Sequence, residues 1–371
     1  MIIRNLIIAF TTMAGIANLA YAHDVDRGMP KLSGFATLGI SHSSEHRGDY
    51  VLDGTVPKGA GLSHDWAFGN DSRVGAQISA GLTSSVSAVL QVISEYQHDS
   101  TYRPAVEWAN IKYSFTPDFY IRAGRIALPT FLNSDTRKVG YSYPWIHPPT
   151  DIYRQLAITN SDGIDTMFRF DIGVATNAVR AIYGRNEIDR ATSTSTSRGL
   201  WGVFDTVEQG PTTLHVGYQE RETSTYSNST GLTGPWTWNR DESLGANYDP
   251  GNWFITSEWI KRESSYKKIA WFVSAGLRIG NFTPYFNYGR DSAPSYSSTP
   301  TASSVRLATR SQNTTSIGTR YDFKRNADFK LQYDLIRTSD DSNGYLTNVP
   351  TGITLHGDRF HVFSAVFDFL F

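Results

Sequence analysis

Over short stretches of this chain apolar and polar residues alternate one by one, the period of a β-strand with two unlike faces. In 73–80, Val74, Ala76, Ile78 and Ala80 fall on one face and Arg73, Gly75, Gln77 and Ser79 on the other. In 328–336, Phe329, Leu331, Tyr333 and Leu335 oppose Lys330, Gln332 and Asp334. Ile317, Tyr321 and Phe323 oppose Ser316, Gly318, Arg320 and Asp322, and Thr166, Phe168 and Phe170 oppose Asp165, Met167, Arg169 and Asp171. The contrast is sharpest in 362–371. There Phe363, Ala365, Phe367, Phe369 and Phe371 share one face, and Val362, Ser364, Val366, Asp368 and Leu370 share the other.

Two kinds of connector separate these segments. Short ones stand at 82–84, 116–118, 172–174, 209–211, 249–252, 279–281 and 324–327, most of them with the Gly, Pro, Asn or Asp that suit tight turns. Longer ones, rich in Ser, Thr, Asn, Gly and charge, stand at 44–70, 186–198, 222–239, 291–311 and 339–357, with shorter members near 97–104 and 261–268. The longest is 127–163. The two kinds alternate, about seven short turns with about eight longer loops, which gives about sixteen strands with both termini on the short-turn side. A soluble sandwich has no reason to sort its connectors by length. The pattern predicts an all-β chain, a transmembrane antiparallel β-barrel with short periplasmic turns and long extracellular loops.

The aromatic face of 363–371 supports the membrane setting. Exposed to water it would invite aggregation; facing lipid it is at home, provided the strand belongs to a closed barrel. Aromatic pairs beside the short turns (Phe115 and Phe119, Tyr248 and Trp253, Phe323 and Phe329, with Phe282 after a fourth) predict an interfacial girdle. A mean hydropathy of −0.34 speaks against a bundle of membrane helices but not against a barrel, whose alternating strands average to polar. At the N-terminus Arg4, a mostly apolar run over 6–19 and the Ala20-Tyr21-Ala22 site form the pattern of a secretory signal peptide. The expectation is a signal over 1–22, cleaved after Ala22, and one barrel domain over 23–371. A membrane anchor needs a longer apolar run than this one, which Thr11 and Thr12 interrupt. The absence of cysteine suits an oxidising export route, and a net charge of −1 gives no reason to expect nucleic acid as a partner.

In a barrel the polar faces line a wet lumen. The inward basic set is Arg73, Lys112, Arg122, Arg169, Arg180, Arg278, Arg320 and Lys330; the acidic set is Glu95, Asp165, Asp171, Glu258, Asp322 and Asp334. Opposed rows of unlike charge across a narrow lumen set up a transverse field that orients polar solutes. The competing expectation is that many of these charges only pair with one another and stiffen the wall.

The loop over 127–163 is too apolar and too rich in proline for a floppy surface loop, and a loop of that length usually has a task. With the signal peptide, the strand count, this third loop and the terminal Phe371, the chain resembles the general Gram-negative porins. The stretches Val106-Glu-Trp-Ala-Asn-Ile-Lys-Tyr-Ser-Phe115 and Ile121-Arg-Ala-Gly-Arg-Ile126 also look like porin sequence. The resemblance implies an outer-membrane location, a third loop folded into the lumen, a homotrimer, and contact with outer-membrane lipids and lipopolysaccharide. It also implies that the barrel assembly machinery reads the segment ending in Phe371. In that family a Gly-Arg pair before the third loop contributes to a basic wall, and Gly124-Arg125 stands there; strict alternation, however, sets Arg125 on the face opposite Arg122. The loop has only scattered acids, Asp135 and Asp151, to face such a wall. The predicted constriction set is therefore Arg73, Glu95, Lys112, Arg122, Arg125, Asp135, Asp151, Asp165, Arg169, Arg180 and Arg320.

The sequence has no Walker loop, HExxH, GxSxG or cysteine metal cluster, so no enzyme activity, metal or cofactor is expected. The expected function is passive diffusion of small hydrophilic solutes and ions. One rival is a channel selective for sugars or carboxylates, with Tyr141, Tyr143 and Trp145 as a stacking track, although these rings serve equally to pack the loop. The other is a secreted soluble β-protein, a lectin or hydrolase.

Overall fold

The computed structural model describes residues 29–292, 295–296, 310–340 and 342–371; the expected signal peptide lies outside them. Sixteen long antiparallel strands close into a barrel. They are β1 (Lys31–Ser43), β2 (Arg73–Gly81), β3 (Val86–Glu95), β4 (Ala105–Thr116), β5 (Phe119–Ala127), β6 (Asn160–Ile172), β7 (Ala175–Arg190), β8 (Ser193–Gln209), β9 (Thr212–Ser227), β10 (Thr237–Tyr248), β11 (Trp253–Glu263), β12 (Tyr266–Leu277), β13 (Phe282–Asp291), β14 (Gln312–Lys324), β15 (Ala327–Thr338) and β16 (Arg359–Leu370). Each strand pairs with the next, and β16 pairs with β1 from Leu370 opposite Phe35 to Val362 opposite Ser43. Beyond the ladder, Gly34 and Phe371 exchange backbone hydrogen bonds at 2.7 and 3.0 Å. Closure leaves no unpaired edge, the condition for a sheet to stand in lipid.

The apolar faces look outward. Phe363 and Phe367 are 38% and 45% exposed, while Val362 and Asp368 on the opposite face of β16 are 0% exposed. Beside the short turns the outward rings touch: Phe115 and Phe119 at 5.0 Å, Tyr248 and Trp253 at 5.2 Å, Phe329 and Phe367 at 4.6 Å between centroids. A soluble protein has no use for this surface, so the lectin or hydrolase reading falls.

All seven short connectors lie at one end of the barrel, where the sequence predicts them. At the other end the loops are L1 (44–72), L2 (96–104), L3 (128–159), L4 (191–192), L5 (228–236), L6 (264–265) and L8 (339–358); the expected loop over 291–311, L7, lies largely outside the described residues. L4 and L6 correct the expectation. Segment 186–198, expected as a loop, is a continuation of β7 and β8 with Glu187 opposite Thr196 and Asp189 opposite Thr194. Its serines and threonines read as loop by composition, yet threonine favours strands, and Ser195–Thr225 and Ser197–Thr223 bond across to β9 at 3.0 and 3.1 Å. Likewise 222–239 is largely strand, and 261–268 turns over two residues.

Candidate channel constriction

L3 enters the lumen from the top of β5, forms a 3-10 turn (Gly140–Ser142) and one short α-helix, α1 (Thr150–Tyr153), and returns to β6. Its apolar residues draw it against one side of the wall. Phe131, Tyr143, Trp145, Ile152 and Leu156 join Phe204, Phe254, Phe272 and Tyr285, inward residues of β8, β11, β12 and β13, in one buried cluster. Polar anchors fix the position within that cluster. The Trp145 indole N–H donates to Ser274 Oγ at 2.7 Å, the Tyr153 hydroxyl to Glu258 at 2.6 Å, and the Leu132 backbone N–H to the other oxygen of Glu258 at 2.9 Å. Tyr141, Tyr143 and Trp145 are only 8%, 3% and 2% exposed, so they pack the loop and offer no stacking track to a sugar.

The bend of L3 is fastened by wall cations. Lys330 Nζ donates to the Gly140 carbonyl at 2.7 Å, and Arg320 Nη1 donates to the carbonyls of Tyr141 and Tyr143 at 2.7 and 3.2 Å. Lys330 also pairs with Asp368 at 2.9 Å, and Arg320 with Asp322 at 2.7 Å and Asp328 at 3.0 Å. The loop comes so close that a Cβ on Gly140 would run into the Asp368 carboxylate and the Thr37 hydroxyl. At α1 the approach is equally tight, with Gly289 of β13 leaving room only for the Asp151 carboxylate.

L3 leaves space on two sides, a loop-side cavity bordered by β2–β4, β6 and β7 and a turn-side cavity bordered by β6–β11. A cavity of about 310 Å³ lies on the loop side of L3 and one of about 300 Å³ on the turn side. Lys138 borders the first and Asp135 the second. Between them the wall presents a charge cluster: Arg122 and Arg180 both hold Asp165, at 2.6 and 2.7 Å, and Arg180 reaches Asp135 on L3 at 3.4 Å. Lys112 stands beside this cluster, its Nζ 5.5 Å from the centre of the Tyr120 ring, and Arg169 follows on the inner face of β6 toward the turns. Higher up, Lys138 of L3 binds Glu95 at 2.5 Å, and Arg73 lies 3.9 Å from the same carboxylate.

Of the predicted set, Arg73 and Glu95 line the loop-side cavity and Asp135 and Arg180 the turn-side one, while Arg125, Arg320 and Asp151 are placed elsewhere. Arg125 is on the outer face, bonded to Asp162 at 2.7 Å and to the Val106 carbonyl at 3.1 Å. The β5–β6 ladder runs unbroken through Arg122 opposite Asp165 and Arg125 opposite Asp162, so no bulge turns Arg125 inward, and its carboxylate partner offsets the cost of a lipid-facing charge. Arg320 is inward but spent on holding L3. Asp151 is 1% exposed beneath α1, accepting from Thr314 at 3.1 Å, and faces no basic wall.

Burial raises the Asp151 carboxyl to about 7, with the nearby Asp291 adding to the effect. Between the ordinary carboxylate range and pH 7 the folded chain therefore holds a proton there that the unfolded chain has released. The stability tied to that proton is complete below about pH 4, declines as pH rises through 7, and is absent above. Asp151→Asn keeps a neutral group at all pH values. The heat-unfolding temperature of the wild type, relative to D151N, is expected to fall between pH 4 and pH 7; parallel curves would contradict this.

L1 and L8 also cover the mouth, which the sequence reading missed. Asp49 and Thr347 exchange backbone bonds at 2.8 and 2.9 Å, and Tyr50 packs with Leu346, Leu355 and Phe360. Tyr345 of L8 reaches inside to Asp291, Gln155 and Lys268. The signal was present: apolar residues set in otherwise Ser-, Asn- and Gly-rich loops.

A family model of Gram-negative porins matches residues 8–341. The chain belongs to the Gram-negative porin family. It is an outer-membrane channel. Solved porins share the fold at low identity. OmpT of Vibrio cholerae is 12% identical, with a TM-score of 0.59 over 94% of this chain and 99% of that one. An anion-selective porin from Comamonas acidovorans is 12% identical, with a TM-score of 0.59 over 92% and 99%. The outer-membrane channel DcaP of Acinetobacter baumannii is 14% identical, with a TM-score of 0.57 over 92% and 97%. No curated protein sequence matches the porin.

Proposed function

We propose that this porin is a passive diffusion channel for small hydrophilic solutes that prefers anions. The observation that carries this reading is the arrangement of charge at the aperture. Arg122 and Arg180 share the carboxylate of Asp165, whose side chain is fully buried, so the wall there turns guanidinium N–H groups rather than carboxylate oxygens toward the lumen. In a narrow lumen with low-dielectric walls such groups attract anions. The Comamonas porin of the same fold is described as anion-selective. The test is the zero-current potential of the purified porin in a planar bilayer across a potassium chloride gradient. A potential of the sign set by chloride is expected; one of the sign set by potassium, or the absence of conductance, overturns the reading.

Oligomerisation and assembly are parts of the same proposal. OmpT of Vibrio cholerae has been solved in a trimer form, and a homotrimer is proposed here, embedded among outer-membrane lipids and lipopolysaccharide after removal of the first 22 residues. Phe371 completes the β1–β16 seam through its bonds to Gly34 and is proposed as the feature the assembly machinery reads. Deleting it is expected to reduce the yield of heat-modifiable barrel in outer membranes while leaving the conductance of the barrels that do form near normal. Normal yield would contradict that role.

A further inference from the structure

Several outward cations on the loop-side half of this barrel have a carboxylate within ion-pair distance. Arg198 has Glu222 at 2.9 Å, Arg240 has Glu220 at 3.3 Å, Lys261 has Glu242 at 3.0 Å and Arg125 has Asp162 at 2.7 Å. Exposed pairs of this kind gain little energy from each other, but they cancel one another's field at the lipid surface.

The loop-side ends of β13–β16 depart from this pattern. One rung of the ladder there runs from Arg290 on β13 to Asn313 on β14, Arg337 on β15 and Arg359 on β16. Each of the four falls on the outward side of its strand, with Asp291, Gln312, Thr338 and Phe360 buried beside them. Arg337 and Arg359 are therefore like charges directly opposed across two strands, which costs stability when nothing lies between them. Carboxylates do little to relieve it. Asp340 on L8 is 3.9 Å from Arg337 but 91% exposed, and Asp358, the residue before Arg359, is taken by Arg47 at 2.8 Å. Among the described residues no carboxylate lies within ion-pair distance of Arg290 or Arg359. Outward rings fix the depth of this row. Trp271 stands opposite Arg290 and touches Tyr288, with 5.6 Å between centroids. Tyr333 stacks on His361 at 5.5 Å, and its hydroxyl lies 2.6 Å from the imidazole Nδ1. Such rings mark the level where hydrocarbon gives way to headgroups. Toward the turns the same faces carry Phe286, Ile317, Leu331 and Phe363. Apolar belt, aromatic band and arginines thus follow one another in the order in which an anionic amphiphile presents acyl chains and phosphate.

We propose that Arg290, Arg337 and Arg359, with the Asn313 amide among them, bind the phosphate groups of a phosphorylated lipid in the outer leaflet. The guanidinium fork suits phosphate, and a phosphate between Arg337 and Arg359 removes their repulsion. The acyl chains lie along the apolar belt below. This gives the lipid setting proposed above a specific contact. It rests on the outer-membrane location of the barrel and not on its ion preference.

The test is native mass spectrometry of the purified porin in detergent, titrated with diphosphoryl lipid A, with phosphatidylcholine as the zwitterionic control. The wild type binds lipid A in a saturable way and more tightly than phosphatidylcholine. Arg337→Gln with Arg359→Gln raises the half-saturating concentration about thirtyfold, the loss expected for two basic residues at a lipid headgroup. Arg198→Gln with Arg240→Gln, which removes arginines that already have glutamate partners, leaves it unchanged. A second readout separates binding from folding. Lipid A raises the temperature of conversion to the heat-modified form in the wild type and not in R337Q/R359Q, which without lipid converts no lower than the wild type. Equal half-saturating concentrations in the wild type and R337Q/R359Q overturn the proposal, as does displacement of lipid A by inorganic phosphate at equal concentration. A change of oligomeric state in R337Q/R359Q without lipid assigns the row to a contact between subunits and also overturns it.

Discussion

Replacing Lys330 with methionine is expected to unfasten the third loop and to destabilise the barrel by about 3–5 kcal/mol, the usual consequence of removing one partner of a buried ion pair. Lys330 is 0% exposed and lies 2.9 Å from Asp368 and 3.8 Å from Asp328, both of which are also 0% exposed. Arg320 compensates Asp328 at 3.0 Å, but among the described residues no second cation lies within ion-pair distance of Asp368, which keeps the short bond from the Thr37 hydroxyl. The same ammonium holds the Gly140 carbonyl. K330M should therefore show two effects together: a lower temperature for conversion to the heat-modified form on gels, and noisier or larger single-channel currents as the bend of L3 leaves the wall. Adding Asp368→Leu should recover much of the stability, because an apolar pair of similar volume can replace a buried ion pair, without recovering quiet currents. An unchanged transition temperature and an unchanged conductance in K330M would show that the loop is held elsewhere.

The second large effect is on selectivity. Arg122→Gln with Arg180→Gln leaves Asp165 and Asp135 as the dominant charges at the aperture, with Lys112 and Arg169 to either side. The zero-current potential in a potassium chloride gradient is expected to change from the chloride sign toward the potassium sign, and the unitary current at low salt to change more than at high salt, where screening shortens the reach of charge to about 3 Å at 1 M. Asp165→Asn with Asp135→Asn should move the potential the other way. If all four substitutions leave it in place, selectivity is set above the aperture. Substituting Arg125, which faces outward with Asp162, should leave the potential unmoved and serves as the control.

Several features of the site were legible because a two-residue period reports which side of a strand faces water. Arg122, Asp165 and Arg180 each fall on the polar face of an alternating strand, and all three converge in the lumen. The same rule set Arg125 on the opposite face; only the family resemblance argued for bringing it inward, and its bidentate partner Asp162 keeps it outside. The acids of L3 were not separable in the same way. Asp135 and Asp151 are both isolated carboxylates in one apolar loop, and a loop has no period from which to read direction. Which of them meets Arg180 and which is pressed against Gly289 depends on how Trp145, Tyr153 and Leu132 dock on Ser274 and Glu258, partners more than a hundred positions away.

By itself the sequence determined the strand number, the order of turns and loops, the outward apolar belt and the seam at Phe371. Each depends on local periodicity, on turn residues, or on the lack of any other place in water for an aromatic strand face. The tertiary structure alone decided where the channel runs. The lumen is one space shared by sixteen strands and several loops, and its open space is whatever the loops leave uncovered. L3, fastened to the wall through Lys330, Arg320 and Trp145, set that space. The meeting of L1 and L8 over the mouth arose from contacts between segments far apart in the chain, which no local pattern encodes.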